Sequence, residues 1–230
     1  MKVLICIPTY DWNIDHKVAL ALLQEQYSAD IDVDYHFIPY QAVHHARNQA
    51  VEMFLAWSRD KLLFIDSDNP PNYGAIRILI SSSKWHDIMT WLVPNRHSNE
   101  PTNETYCVYK TKLEDSKVLW ERIPLSLESD IEWIFEVDAC GTWFVIIDRK
   151  VLEDLSKEYG WVVFEYSTRR EELGTWKLVD MDWEIGEESI IMQEFWEDML
   201  FCHRAKLFWY KVFANSKCRA KHLAIPHYIE

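Results

Sequence analysis

The eleven residues from Lys61 to Pro71, KLLFIDSDNPP, constrain the fold more than any other stretch of this 230-residue chain. Leu62 to Ile65 form an apolar run that leads directly into Asp66-Ser67-Asp68, and Pro70-Pro71 then forbid further strand. The pattern predicts a buried strand that delivers two carboxylates to a sheet edge. Alternate residues of a strand point to opposite faces, but past the strand end the chain turns, and both acids can converge on one hard divalent cation. The plain alternative is a strand followed by a polar turn.

The residues before this stretch say what kind of sheet it joins. Lys2 to Ile7 is an apolar run broken at Pro8-Thr9-Tyr10, which predicts a buried opening strand with a loop at its carboxyl end. His16 to Tyr27 has helical apolar spacing with Asp15 as N-cap, Ile31 to Ile38 alternates like a strand, and Val43 to Ser58 reads as a second helix. Strand, helix, strand, helix, strand is the rhythm of a parallel sheet with crossover helices. Ligands of such sheets bind outside the carboxyl ends of the strands, so the loop at Pro8 to Asp11 and the acids Asp66 and Asp68 are expected to face one pocket.

After Pro71 the pattern predicts a helix to about Ser83, a strand at Asp87 to Val93 and a polar loop from Asn95 to Thr105. Strands follow at Tyr106 to Lys110, Ile131 to Asp138 and, after a Gly141-Thr142 turn, Trp143 to Asp148. Arg149 to Tyr159 reads as a helix closed by Gly160. Trp161 to Ile185 reads as strands and loop, Trp196 to Phe208 as a helix, and Tyr210 to Ala214 as a short strand. No repeat or linker interrupts the chain, which implies one α/β domain.

Charge and cysteines narrow the setting. A net charge of -13 repels nucleic acid and anionic membranes, although Met199 to Ile229 holds six basic residues and no acid. That basic segment is the one place for an anion or for weak peripheral membrane contact. Five cysteines without a CxxC pair, mostly among apolar neighbours, imply free thiols in a reducing compartment. With no long apolar run and only a short one at the N-terminus, a cytoplasmic protein without a transmembrane segment is expected. Twelve tryptophans suggest aromatic surfaces beyond what packing needs.

Several side chains can carry chemistry. Glu197 and Asp198 open the late helix, where acids complement the helix dipole and where a carboxylate can also serve as general base toward a hydroxyl. Arg47, near the start of the second helix, is either a solvated helix residue or a planar fork for a phosphate or base edge. His222 is an ordinary histidine taken alone and a metal ligand in combination with two carboxylates. His36, His44 and His45 stay unassigned, and Gly141 allows close backbone approach to a ligand.

Together these pieces resemble the GT-A class of nucleotide-sugar glycosyltransferases, and more closely its family-2-like branch. The resemblance spans Lys2 to Leu223 and rests on the order of four elements: IPTYD, then ARNQAV ahead of DSD and PP, then CGTWFVIIDRKVLEDL, then EDMLFCHRAKLFWYKVFANSKCRAKHL. It implies a Rossmann-like, mixed but mainly parallel central sheet flanked by helices, with a nucleotide-binding half at about 1–94 and an acceptor-binding and catalytic half at about 95–230. Thr9, Tyr10 and Arg47 fall at nucleotide-contacting positions. Asp66 and Asp68 match the DxD motif, with Asp68 the direct ligand of Mn or Mg bridging the donor diphosphate and Asp66 near the ribose or the metal. His222 matches a late histidine that completes the metal site, Asp198 the catalytic base with Glu197 beside it, and Gly141-Thr142-Trp143 an acceptor-binding turn. The implied substrates are a nucleoside-diphosphate sugar and an acceptor of unknown kind, whether glycan, lipid or protein.

Three departures from the pattern stand out. Met199-Leu200 replace a third acid found in many relatives, Trp143 stands where a small residue is common, and Gly160 to Tyr166 match the family's variable region poorly, which is where an acceptor is expected to be read. Two other readings remain at this level. One is a GT-A-like domain that binds nucleotide without turnover, since fold does not confer activity; the other is a phosphatase with Asp66 as nucleophile, whose DxD motif usually lies nearer the N-terminus.

Overall fold

A computed structural model gives the fold and describes residues 1–9, 13–39, 42–93, 106–114, 117–122, 133–166 and 196–219. The chain opens as β1 (Lys2–Thr9), α1 (His16–Gln24), β2 (Asp32–Pro39), α2 (Val43–Ala56) and β3 (Lys61–Ile65). It continues through α3 (Ala75–Ser82), a 3-10 turn (Ser83–Trp85), β4 (Ile88–Leu92), β5 (Val108–Glu114), β6 (Lys117–Arg122), β7 (Ile134–Val137) and β8 (Ala139–Cys140). It closes with β9 (Phe144–Asp148), α4 (Arg149–Tyr159), α5 (Glu197–Leu207) and β10 (Val212–Arg219).

Seven strands form the central sheet in the order β2-β1-β3-β9-β4-β10-β7, and β6-β5-β8 form a smaller one. In the large sheet β9 and β7 run against the other five strands, so the sheet is mixed but mainly parallel, as expected. The chain runs from β1 outward to β2 and then back across β1 to β3. Strand order therefore reverses between β1 and β3, and the crevice outside their carboxyl ends is the favoured ligand position in an open α/β sheet.

The apolar runs of β1 and β3 follow from burial on both faces. Leu4, Cys6, Leu62 and Phe64 pack with Ala50, Val51 and Phe54 of α2, Leu152 and Leu155 of α4, and Phe201 of α5. Their alternate neighbours Val3, Ile5, Ile7, Leu63 and Ile65 pack with Val18 of α1 and with Ile76, Leu79 and Ile80 of α3. The period of two splits each strand between two cores. Asp15 caps α1, its Oδ1 accepting from Lys17 N–H at 2.7 Å, and Asp148 caps α4 in the same way toward Lys150 N–H at 3.0 Å.

Several expected boundaries move. Helix α1 ends at Gln24, and Tyr27 instead pairs its hydroxyl with that of Tyr35 on β2 at 2.7 Å. The late strand extends from Val212 to Arg219: β7 and β4 both pair with it as far as Asn215, and β4 pairs with it again at Arg219 after a register shift. Strand β6 was not anticipated; its partner β5 supplies the ladder that its own residues do not announce. The expected loop at 95–105 and the stretch from 167 to 185 lie outside the described residues, whereas 161–166 are described and contain neither helix nor strand.

Gly160 ends α4 at φ 69 and ψ -153, a backbone region that only glycine adopts readily. A Cβ there would meet no atom within 4 Å, so the expected cost of Gly160→Ala is conformational. The variant should lose about 1–3 kcal/mol of stability with an unchanged m-value in urea unfolding.

Candidate active site

The DSD turn sits at the carboxyl end of β3, tied on two sides. Asp66 N–H donates to the carbonyl of Trp143 at 2.9 Å, because antiparallel pairing of β3 with β9 sets Ile65 opposite Phe144. The carbonyl of Ser67 accepts from Asp15 N–H at 3.0 Å, and Asn69 N–H closes the turn onto the carbonyl of Asp66 at 3.2 Å. Asp66 and Asp68 are half-buried, while Asn69, Pro70 and Pro71 are buried. The two prolines thus stop the strand and also line the interior.

Arg47 joins this turn to the late helix. Its side chain is fully buried; Nη1 donates to Glu197 Oε1 at 2.6 Å and Nη2 to Asp66 Oδ1 at 3.2 Å. The reading of Arg47 as a solvated helix residue is therefore corrected: one guanidinium fork bridges two carboxylates that lie far apart in the sequence.

Asp198 stands next to that bridge. It is 6% exposed, and its Oδ1 accepts from Met199 N–H at 2.8 Å. Burial first, and the negative charge of Glu197 second, push its carboxyl up to about 6, with Arg47 pulling the other way. An acid with that pKa is ionised at neutral pH yet remains a competent proton acceptor.

The Gly141-Thr142-Trp143 turn lies against the same edge. Gly141 N–H donates to the carbonyl of Cys107 at 3.0 Å, and a Cβ on Gly141 would come within 3.3 Å of the Trp143 indole. Beneath it the thiols of Cys140 and Cys202 meet at 4.0 Å, which fixes β8 against α5. Thr9 ends β1, buried at 4% exposure. The hydroxyls of Thr9 and Thr142, both side-chain amide atoms of Asn69 and Nε of Arg47 are buried with no hydrogen-bond partner among the described residues. A buried polar group left in that state costs about 1–3 kcal/mol, and these lie along one sheet edge.

The structure thus brings together Thr9, Arg47, Asp66, Asp68, the Gly141 to Trp143 turn, Glu197 and Asp198. Tyr10 and His222 lie outside the described residues. Among the described residues no group of three or more His, Cys, Asp or Glu side chains is arranged to hold a metal.

Sequence reasoning missed how residues 161–166 are held. Asn48 accepts from Phe164 N–H at 2.8 Å and donates to the carbonyl of Phe164 at 2.7 Å. Arg204 donates to the carbonyl of Val162 at 3.1 Å and to Glu165 Oε2 at 3.1 Å, and it stacks over the Tyr159 ring at 4.4 Å. Of the late basic residues, Arg204 is buried, Lys206 pairs with Asp138, and the exposed Lys211 pairs with Glu136 at 3.0 Å. The adjacency of Arg47 and Asn48 in HHARNQ was the one visible signal for both links.

No protein-family model and no curated protein matches the chain. Solved structures do. A197 from STIV aligns over 98% of this chain and 87% of its own at 19% identity, with a TM-score of 0.56. GalNAc-T7, crystallised with UDP, GalNAc and Mn2+, aligns over 96% of this chain and 44% of its own at 9% identity and a TM-score of 0.55. Residues 1–349 of S. aureus TarS, in complex with UDP-GlcNAc, align over 99% of this chain and 60% of theirs at 14% identity and a TM-score of 0.51. The chain has the GT-A fold. Among the described residues no helix is long and apolar enough to cross a membrane.

The bridge generates two expectations. Arg47→Met leaves Glu197 and Asp66 without their shared cation and should cost about 3–5 kcal/mol in chemical unfolding, with partial recovery in Arg47→Met/Glu197→Gln. The raised carboxyl of Asp198 means that the folded state holds a proton between pH 3.8 and about 6 that the unfolded chain has released, so this group lowers stability as pH rises through that window. Asp198→Asn should therefore stabilise the protein by on the order of 2–3 kcal/mol above pH 6 and by almost nothing near pH 4, as read from melting temperatures across the range.

Proposed function

We propose that the chain is a glycosyltransferase that moves a sugar from a nucleoside-diphosphate sugar to an acceptor hydroxyl. The observation that carries this reading is the Arg47 bridge. It holds the DSD turn against the Glu197-Asp198 pair at the ligand-binding edge of a GT-A fold, leaving a buried carboxyl poised near 6 beside it. GalNAc-T7 and TarS, both bound to uridine nucleotides in their crystal structures, support the choice of donor class. The unpartnered polar groups of Thr9, Asn69 and Thr142 at that edge suit a polar ligand rather than an apolar one.

In this mechanism an acceptor oxygen attacks the anomeric carbon of the donor sugar as Asp198 takes its proton. The bond from that carbon to the diphosphate oxygen breaks, and its electron pair leaves on the diphosphate. Thr9 and Tyr10 are the nucleotide-binding positions, and Gly141, Thr142 and Trp143 border the acceptor; Arg47, expected to contact the nucleotide, is instead buried with both Nη atoms on carboxylates and serves the site by holding Asp66. Glu197 is bound to Arg47 and acts through Asp198, whose pKa its charge helps to raise.

The donor set of the DSD turn fits a hard divalent cation. Two carboxylates on alternate residues past a strand end supply the hard oxygen ligands that Mg or Mn takes from one or two acids, with substrate phosphates completing the set. Asp68 and Asp66 would hold it, with His222 as the expected third ligand, and it would stabilise the charge that develops on the departing diphosphate. Asp68 would be the principal ligand, as the DxD pattern implies, while Asp66 is also held by Arg47.

The second reading, a nucleotide-binding domain without turnover, draws on Met199-Leu200 in place of the third acid; Leu200 is 3% exposed and Met199 packs on the core. The GT-A fold leaves the phosphatase alternative without structural support.

Thermal-shift measurements with UDP, GDP, CDP and dTDP, with and without Mn, test the donor class. One nucleotide should stabilise the protein in the presence of Mn, and Asp68→Ala should remove the Mn-dependent part; no response to any of the four excludes the proposal. With the responding nucleotide's sugar as donor, Asp198→Asn should lower transfer or donor hydrolysis by about 10²–10⁴-fold, and the wild-type rate should rise with pH through about 6.

A further inference from the structure

A groove beside this edge has a lining that the roles above leave unused. It runs between α2 and residues 161–166, encloses about 950 Å3, and is walled by His44, His45 and Glu52 on one side and Trp161, Glu165 and Tyr166 on the other. That volume lies within the range of small-molecule sites.

The far wall is held rigidly despite lacking regular structure. Asn48 clamps Phe164 by two hydrogen bonds, Arg204 holds Val162 and Glu165, and the Phe164 ring stacks on Phe201 with centroids 4.6 Å apart. The backbone between Trp161 and Tyr166 is thereby preorganised. Trp161 is nevertheless 57% exposed and Tyr166 42% exposed. The His44 ring stands edge-on to Tyr166 at 5.0 Å and lies 4.1 Å from His45, so a row of rings borders the groove.

The lining selects a ligand chemistry. Flat exposed rings suit a ligand with an apolar ring face, while carboxylates and imidazoles suit one rich in hydroxyls. Among the described residues no lysine or arginine lines the groove; Glu165 is paired with Arg204, and Glu52 adds a negative charge that disfavours phosphate-bearing ligands. A saccharide ring meets all three conditions. The groove also leads toward the Glu197-Asp198 pair: burial first, and the nearby Glu197 charge second, push the Tyr166 phenol up to about 12.

We propose that this groove binds a neutral saccharide and is the acceptor subsite of the transferase. The acceptor role rests on the function proposed above, whereas the saccharide site rests on the groove alone.

Saturation-transfer NMR on the full chain, with linear trisaccharides of glucose, mannose and N-acetylglucosamine as probes, tests it alongside the nucleotide thermal shifts. At least one trisaccharide should bind with a Kd at or below about 10 mM and remain bound when UDP and Mn are saturating. Trp161→Ala should weaken it at least about tenfold without lowering the melting temperature, since the indole is mostly exposed. Glu52→Gln should weaken it more mildly. The saccharide site is overturned if no probe binds, if binding is unchanged in Trp161→Ala, or if nucleotide displaces the sugar. A nucleotide response without saccharide binding sinks the groove assignment alone; saccharide binding without any nucleotide response sinks the acceptor role together with the transferase reading.

Discussion

A guanidinium buried in the protein interior has to be matched by anions, and Arg47 is matched by two. Unpaired, it would carry a desolvation penalty of several kcal/mol; paired on each side, it fixes where its partners sit. Asp66 comes from the end of β3, Glu197 from the start of α5, and Arg47 itself from α2. Three elements that are remote in sequence are therefore held at one point of the sheet edge. Asp198 takes its raised pKa from the same arrangement, because burial and the Glu197 charge outweigh the pull of Arg47.

The sheet determines what else can reach that point. Inserting β9 antiparallel between β3 and β4 brings the start of one strand beside the end of the other, so the Gly141 to Trp143 turn meets the DSD turn through a backbone hydrogen bond. Helix α5 is buried along most of its length, packing Phe201 and Cys202 inward while Arg204 reaches across to hold residues 162–165. The wall of the groove and the Glu197-Asp198 pair thus share one rigid support. Movement of α5 would disturb both.

Much of this was legible from residue order. The apolar runs from Lys2 to Ile7 and from Leu62 to Ile65, the capping Asp15 and the terminating Gly160 each announce an element or its end through local chemistry, although β1 continues through Pro8 to Thr9 because β2 pairs with it there. Strand β6 was not legible, because its ladder depends on β5 rather than on its own periodicity. Residues 161–166 were obscure for a related reason. Their conformation is imposed by Asn48 and Arg204 from elsewhere in the chain, and no local signal encodes a side-chain clamp.

The sequence by itself determined the alternation of strands and helices, the placement of two carboxylates past a buried strand and the acids that open the late helix, since these depend on neighbours within a few residues. Only the tertiary structure decided that Arg47 is buried rather than solvated, that it takes Asp66 and Glu197 as partners, and that Asp198 is the acid with the raised pKa. Charge pairing and desolvation depend on distance through space, and that distance is set when strand order, not residue order, becomes the measure of proximity.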